Sequence, residues 1–139
     1  MNKIRYRKLR KYKYQILEDY NLNTPLKPEK DIVASYIHLT MNGDMLIKAR
    51  YAWDGPSGPT IDTKNFMRGS LVHDAFYQLM REKYLHIDQR DAADKLLQKH
   101  CREDGMSAFR AWIVYLGVKW FGKKSALPNE EEQEIYQAP

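Results

Sequence analysis

The spacing of apolar positions differs between the two halves of the chain. On either side of Asn42-Gly43, apolar and polar residues partly alternate, and an Asn-Gly step favours a tight turn because it tolerates positive φ. The stretch therefore predicts a β-hairpin, with Ile37, Leu39 and Met41 on its apolar face. Residues 12–20 are rich in β-favouring side chains and predict an earlier strand.

Three blocks of apolar residues at helical spacing follow the glycine- and proline-rich segment 53–63. They predict helices over about 64–84, from Asp88 to Gly105, and over about 107–121. The apolar stripe of the third helix is expected to face the core, and it consists of Phe109, Trp112, Ile113, Leu116 and Trp120. Since strands precede helices, the predicted fold class is α+β, with an N-terminal antiparallel β-hairpin region followed by a three-helix unit.

Length and composition are those of one globular domain. The chain has 139 residues, of which 43% are hydrophobic and 29% are charged, and this is enough for a single core. We predict one domain over residues 1–124 and an acidic flexible tail over 125–139. The single cysteine excludes an internal disulfide. Neither a signal-peptide core nor a membrane-spanning run is present, so we expect a cytoplasmic protein without a transmembrane segment.

The net charge of +5 is unevenly distributed, because the first fourteen residues carry only basic charges. This segment, which we call the basic arm (1–14), includes Arg5, Arg7, Lys8, Arg10, Lys11 and Lys13. The simpler interpretation is a solvated arm. The alternative is that it binds phosphate groups of a nucleic acid or an anionic lipid surface.

The third helix also permits two interpretations. Its tryptophans and the neighbouring lysines have the composition of an anchor in a membrane interface, and these residues are Trp112, Lys119, Trp120, Lys123 and Lys124. We favour the core for its apolar stripe, because a domain of this size needs a third helix to cover the other two.

The stretch "LVHDAFYQLM" (71–80) places a histidine beside an aspartate in an apolar helix. His73 and Tyr77 are four residues apart and share a helix face, while Asp94 flanks the apolar stripe of the second helix. If the two helices pack antiparallel, these three side chains meet at the seam, and Asp74 points toward the loop at 53–61. A histidine held by a carboxylate can act as a general base, and an aspartate beside inward-facing carbonyls can bind calcium.

A structural role is the alternative for the same residues. His73 and Tyr77 then contribute packing, and Asp94 pairs with Arg90 one turn earlier. The chain contains no P-loop, dinucleotide-binding fingerprint, zinc-ligand pattern or nucleophile elbow.

Residues from about 44 to 121 resemble a family of uncharacterised proteins from tailed phages and prophages. The resemblance is carried by "WDGPSGPTIDT", "LVHDAFYQLMRE", "RDAADKLL" and "YLGVKWFG". It implies a phage or prophage origin, and therefore a location in the cytoplasm of the bacterial host or in a virion. It implies little about mechanism.

A glycine-rich loop followed by "HDAFY" and a later aspartate also resembles calcium-dependent phospholipase A(2) enzymes, including the lipase domain of parvovirus capsids. The resemblance implies that His73 activates water for attack on a lipid ester. It implies further that Asp94 orients His73 and that Tyr77 supports Asp94.

The same resemblance implies a Ca²⁺ site. Asp74 would bind the ion together with backbone carbonyls near Trp53, Gly55 and Ser57, and the N–H of Gly55 would help to stabilise the oxyanion. Two features depart from the family: Pro56 removes one N–H donor from the loop, and the chain lacks the disulfides of the secreted members.

The sequence thus leads to two functional hypotheses. The first is a calcium-dependent hydrolase acting on phospholipid or a membrane surface. The second is a non-catalytic virion, tail or host-interaction protein, whose His-Asp pair is structural and whose basic arm binds a protein partner or nucleic acid.

Overall fold

A computed structural model describes residues 3–10, 13–54 and 64–128. Within these ranges seven short strands precede the helices, which confirms the α+β class. The strands are β1 (Tyr6–Arg10), β2 (Lys13–Ile16), β3 (Tyr20–Asn23), β4 (Ile32–Val33), β5 (Ile37–Leu39), β6 (Asp44–Ile47) and β7 (Ala52–Asp54).

The strands form two antiparallel sheets, with the orders β1-β2-β7 and β3-β6-β5-β4. The predicted hairpin is β5-β6, in which Leu39 pairs with Met45 and Gly43 has a φ of +86°. A Cβ at Gly43 would lie 2.1 Å from the carbonyl oxygen of Thr24, so the turn also requires glycine for space. Met41 is exposed rather than on the apolar face, because it lies in the turn.

The N-terminal region differs from its prediction in two respects. The strand predicted over residues 12–20 is β2, which ends at Ile16, and Tyr20 already begins β3, which belongs to the other sheet. Residues 6–10 of the basic arm form β1, and Tyr6 packs edge-on against Tyr14 and Trp53. This part of the segment is therefore a strand of a sheet and not a detached arm.

Several basic side chains of this region have polar partners within the fold. Arg5 forms an ion pair with Glu18, Arg7 donates to Gln15, and Lys13 lies 3.7 Å from Asp54. Lys8 is exposed. The side chain of Arg10 and all of Lys11 lie outside the described residues.

Four helices follow in the described part of the chain: α1 (Lys64–Arg81), α2 (Arg90–Glu103), α3 (Ala108–Phe121) and the short α4 (Lys123–Ala126). A single 3₁₀ turn at Ile87–Gln89 precedes α2, so this helix begins slightly later than predicted. Ser107 caps α3 by accepting from the Arg110 N–H, and Gly105 ends α2 with a φ of +101°. The three long helices confirm the predicted helical unit.

Helix α1 lies at the centre of the core and is buried against both the sheets and α2. Its side chains Leu71, Ala75, Phe76 and Leu79 are fully buried. Gly69 permits the close approach of α2, because a Cβ there would lie 2.9 Å from Cδ1 of Leu97. Helix α4 extends into the predicted tail, and its Ala126 is buried in the same core.

The prediction that the apolar stripe of α3 faces the core is wrong. Phe109, Trp112 and Trp120 are 72%, 48% and 66% exposed, Ile113 is exposed, and Leu116 is half-buried. The small residues Ala111 and Val114 occupy the buried side instead, since short side chains let the helix lie close to α2. None of the described helices is long and apolar enough to cross a membrane.

The buried His100 on α2 is expected to make the fold less stable in acid. Its Nδ1 has no hydrogen-bond partner among the residues that the structure describes. Burial together with the nearby Arg68 guanidinium lowers its pKa to about 4. The unfolded chain therefore binds a proton near the ordinary pKa of histidine, whereas the folded chain does not. We expect the free energy of unfolding to fall by about 2 kcal/mol between pH 7 and pH 5.

Urea unfolding at both pH values measures this loss. His100→Leu should remove most of it, and His86→Gln, at an exposed histidine, should retain it. An equal pH dependence in the wild type and in His100→Leu would contradict the assignment.

Candidate active site

The seam between α1 and α2 holds three polar side chains that meet at one oxygen atom. His73 Nε2 lies 2.7 Å from Oδ1 of Asp94, and the hydroxyl of Tyr77 donates to the same oxygen at 2.6 Å. His73 and Tyr77 are one helical turn apart on α1, and Asp94 projects from the facing side of α2. The structure thus brings together the three residues that the helical spacing predicts to meet.

Asp94 is a buried carboxylate, with a side chain that is only 1% exposed. Burial of a charge is costly unless hydrogen bonds and an opposite charge compensate for it. Oδ1 has two donors, whereas Oδ2 has no hydrogen-bond partner in the described part of the chain and lies 3.8 Å from the guanidinium of Arg90. Burial and the adjacent carboxylate raise the pKa of Tyr77, so its hydroxyl stays protonated and donates to Asp94.

The contact with Asp94 defines the proton positions on His73. An ionised carboxylate only accepts hydrogen bonds, so Nε2 carries the proton and Nδ1 is left as an acceptor. Among the described residues Nδ1 has no hydrogen-bond partner, and the His73 side chain is 12% exposed. Its ring packs against the Tyr77 ring, with 4.1 Å between centroids. This is the geometry of an imidazole base that a carboxylate orients.

Arg90 connects this network to the end of α3. Its guanidinium donates to the carbonyls of Val118 and Lys119, each at 3.0 Å, and lies 3.4 Å from the Tyr77 hydroxyl. The sequence indicates Arg90 only as a neighbour of Asp94 one turn away. Its carbonyl partners, nearly thirty positions later, leave no signal in the sequence because any residue supplies a backbone carbonyl.

Asp74 points away from the seam, toward the segment that leads into β7. Its Oδ2 lies 3.2 Å from the hydroxyl of Tyr51, which is also 3.0 Å from Oε1 of Gln78. Burial raises the pKa of Asp74, and this effect outweighs the opposite effects of the Arg81 charge and of the Tyr51 hydrogen bond. The sequence analysis does not identify Tyr51 as part of the site. Tyr51 stands two residues before Trp53, and alternation along an extended strand places both side chains on the same face, which was the available signal.

Trp53 is a buried core residue, and its indole N–H donates to Ser70, one turn before Asp74 on α1. Strand β7 therefore runs alongside α1, with Tyr51 before the strand at Asp74 and Trp53 within it at Ser70. Gly55 and Ser57, the other predicted contributors of carbonyls and of the oxyanion N–H, lie outside the described residues. Within the described ranges no three His, Cys, Asp or Glu side chains are grouped as a metal site.

A known family matches the sequence. The model of a family described as "protein of unknown function (DUF1353)" matches residues 44–118, which is more than half of the chain and includes His73, Asp74, Tyr77 and Asp94. No curated protein and no solved structure matches the chain.

Proposed function

The chain belongs to the DUF1353 family of unknown function, and from its site we propose that it hydrolyses lipid esters in the manner of calcium-dependent phospholipase A(2). One observation carries the proposal: a partly accessible imidazole is oriented by a buried carboxylate through Nε2 and keeps Nδ1 without a protein partner among the described residues. A base of this kind is what activation of water requires.

The reaction follows from the proton positions. Nδ1 of His73 accepts a proton from water as the water oxygen attacks the ester carbonyl, and the resulting imidazolium is stabilised by Asp94. His73 then transfers that proton to the departing alkoxide as the bond between carbonyl carbon and alkoxide oxygen breaks. The products are a fatty acid and an alcohol, and His73 returns to its initial state. Tyr77 keeps Asp94 in place throughout.

The environment of Asp74 fits a calcium ligand. Its pKa is raised by burial, which means that its charged form is poorly compensated, and a bound cation would supply the missing positive charge. Asp74 would hold the ion with the backbone carbonyls of Trp53, Gly55 and Ser57. Calcium at this position would stabilise negative charge on the carbonyl oxygen, together with the N–H of Gly55.

On the basis of the resemblance to phage proteins, the proposed location of the protein is the cytoplasm of a bacterial host or a virion. A non-catalytic virion, tail or host-interaction protein is the second candidate. The low exposure of His73 favours it, because His73, Tyr77 and Asp94 also join α1 to α2 without any chemistry. In this case the exposed Lys8 and its neighbours on the basic arm would contact a protein partner or nucleic acid.

Lipid hydrolysis by the whole chain tests the proposal. Phospholipid vesicles are incubated with the protein in calcium, in magnesium, and in chelator, and free fatty acid and lysophospholipid are measured by mass spectrometry. We expect equal amounts of both products in calcium only. Absence of products in calcium, or equal release in chelator, would reject the hydrolase and favour the non-catalytic candidate.

A further inference from the structure

Helix α3 has two apolar faces, and within residues 3–10, 13–54 and 64–128 only one of them is covered. Ala111 and Val114 are buried and Val118 is partly buried on the inner face. At 100° per residue, the outer residues fall within about 100° of one another on the opposite side of the helix. We call them the α3 outer face: Phe109, Trp112, Ile113, Leu116 and Trp120.

Only basic charges border the α3 outer face along its own segment. Residues 105–129 contain no Asp or Glu. On the helical wheel Arg110 and Lys119 lie on opposite flanks of the face, and Lys123 and Lys124 follow at its C-terminal end. Asp91 of α2, which accepts from Tyr115 on α3, is already paired with Lys95.

We propose that the α3 outer face docks on the surface of a lipid bilayer containing anionic lipid. Exposed tryptophans and a phenylalanine flanked by lysines are suited to the boundary between headgroups and acyl chains, where the rings are buried and the ammonium groups meet lipid phosphates. A second copy of the chain fits this face poorly, since two copies would bring the same basic borders against each other.

The last turn of α3, the helix that carries the proposed docking face, contacts the candidate active site. The carbonyls of Val118 and Lys119, in the last turn of α3, accept hydrogen bonds from Arg90, which also lies beside Asp94 and Tyr77. A Cβ on Gly122 would lie 2.9 Å from the Tyr77 hydroxyl, so the chain after α3 packs directly on this network. Docking of α3 would therefore bring the site close to its substrate. This last step rests on the proposed function, whereas docking itself does not.

Vesicle binding tests the docking surface separately from catalysis. The full chain is sedimented with phosphatidylcholine vesicles, with and without phosphatidylglycerol, in chelator so that calcium-dependent hydrolysis does not contribute. We expect salt-sensitive binding to the phosphatidylglycerol vesicles. The double variant Trp112→Ser/Trp120→Ser should bind about tenfold or more weakly.

A matched control removes exposed apolar groups elsewhere. Val33→Ser/Tyr36→Ser changes two exposed residues, one in the edge strand β4 and one directly before β5, and it should bind vesicles like the wild type. Tryptophan emission gives a second measurement, because Trp53 is buried while Trp112 and Trp120 are exposed. The emission of the wild type should shift to the blue on vesicles, and the emission of Trp112→Phe/Trp120→Phe should not.

Several results would overturn the docking proposal: no vesicle binding by the wild type, equal binding by the serine variant, or sedimentation velocity showing a wild-type dimer that the serine variant dissociates. The last result would make the face an interface between copies.

Binding without any lipid hydrolysis would support docking and reject only the hydrolase. Calcium-dependent hydrolysis that is unaffected in the serine variant would support the hydrolase and reject docking.

Discussion

We expect His73→Gln to lower kcat for lipid-ester hydrolysis by about 10³-fold or more while the variant stays folded. The glutamine amide can still donate to Oδ1 of Asp94, so the hydrogen bond between α1 and α2 has a replacement. It cannot accept a proton from water at the position of Nδ1. The expected loss is therefore in kcat, with vesicle binding and the free energy of unfolding close to those of the wild type.

Two further variants are compared with His73→Gln. His86→Gln makes the same chemical change at an exposed histidine and should keep full activity. Tyr77→Phe removes one donor to Asp94 and should lower kcat by about tenfold or less, because His73 keeps its partner. Steady-state fatty-acid release measures all three variants. A His73→Gln protein with more than a tenth of wild-type kcat would show that the base lies elsewhere.

We expect Asp74→Asn to raise the melting temperature in chelator at pH 7 by about 3 °C and to abolish the proposed calcium response. The folded-state pKa of Asp74 is raised by burial, so the folded chain holds this proton more tightly than the unfolded chain does. The ionised carboxylate therefore destabilises the fold at neutral pH, and this penalty disappears as the pH falls below the ordinary pKa of aspartate. Asparagine carries no charge and can still accept from Tyr51.

Thermal unfolding with and without calcium measures both effects. Calcium should raise the melting temperature of the wild type and of Asp91→Asn, a matched change at an exposed aspartate, but not that of Asp74→Asn. In chelator the advantage of Asp74→Asn should shrink toward pH 4. Equal stabilisation of all three proteins by calcium would place the ion away from Asp74. A lower melting temperature of the asparagine variant at pH 7 would mean that the carboxylate is well compensated.

The elements that the sequence predicts best are those with a local cause. Helices α1 to α3 have apolar residues at helical spacing, with Ser107 as a cap and Gly105 as a stop. The hairpin β5-β6 has its Asn-Gly turn. Part of the site is also local, because His73 and Tyr77 must share a face once α1 forms.

The features that the sequence does not predict depend on contacts between distant segments. Tyr51 reaches Asp74 only because β7 lies along α1, and Arg90 reaches the end of α3 only because the two helices are neighbours. The basic residues 6–10 become a strand because β2 offers a free edge. The partners in these contacts are far apart in the sequence, so the periodic pattern of apolar residues does not predict that they meet.

Helix α3 shows most clearly where the sequence stops determining this protein. The sequence by itself determined that residues 108–121 are helical and that large apolar residues lie on one side, opposite Ala111 and Val114. Only the tertiary structure decided which side is buried: the narrow space beside α2 admits the small side chains and leaves Phe109, Trp112 and Trp120 exposed. Hydrophobicity is a property of each residue, whereas close packing depends on the shape of the neighbouring surface.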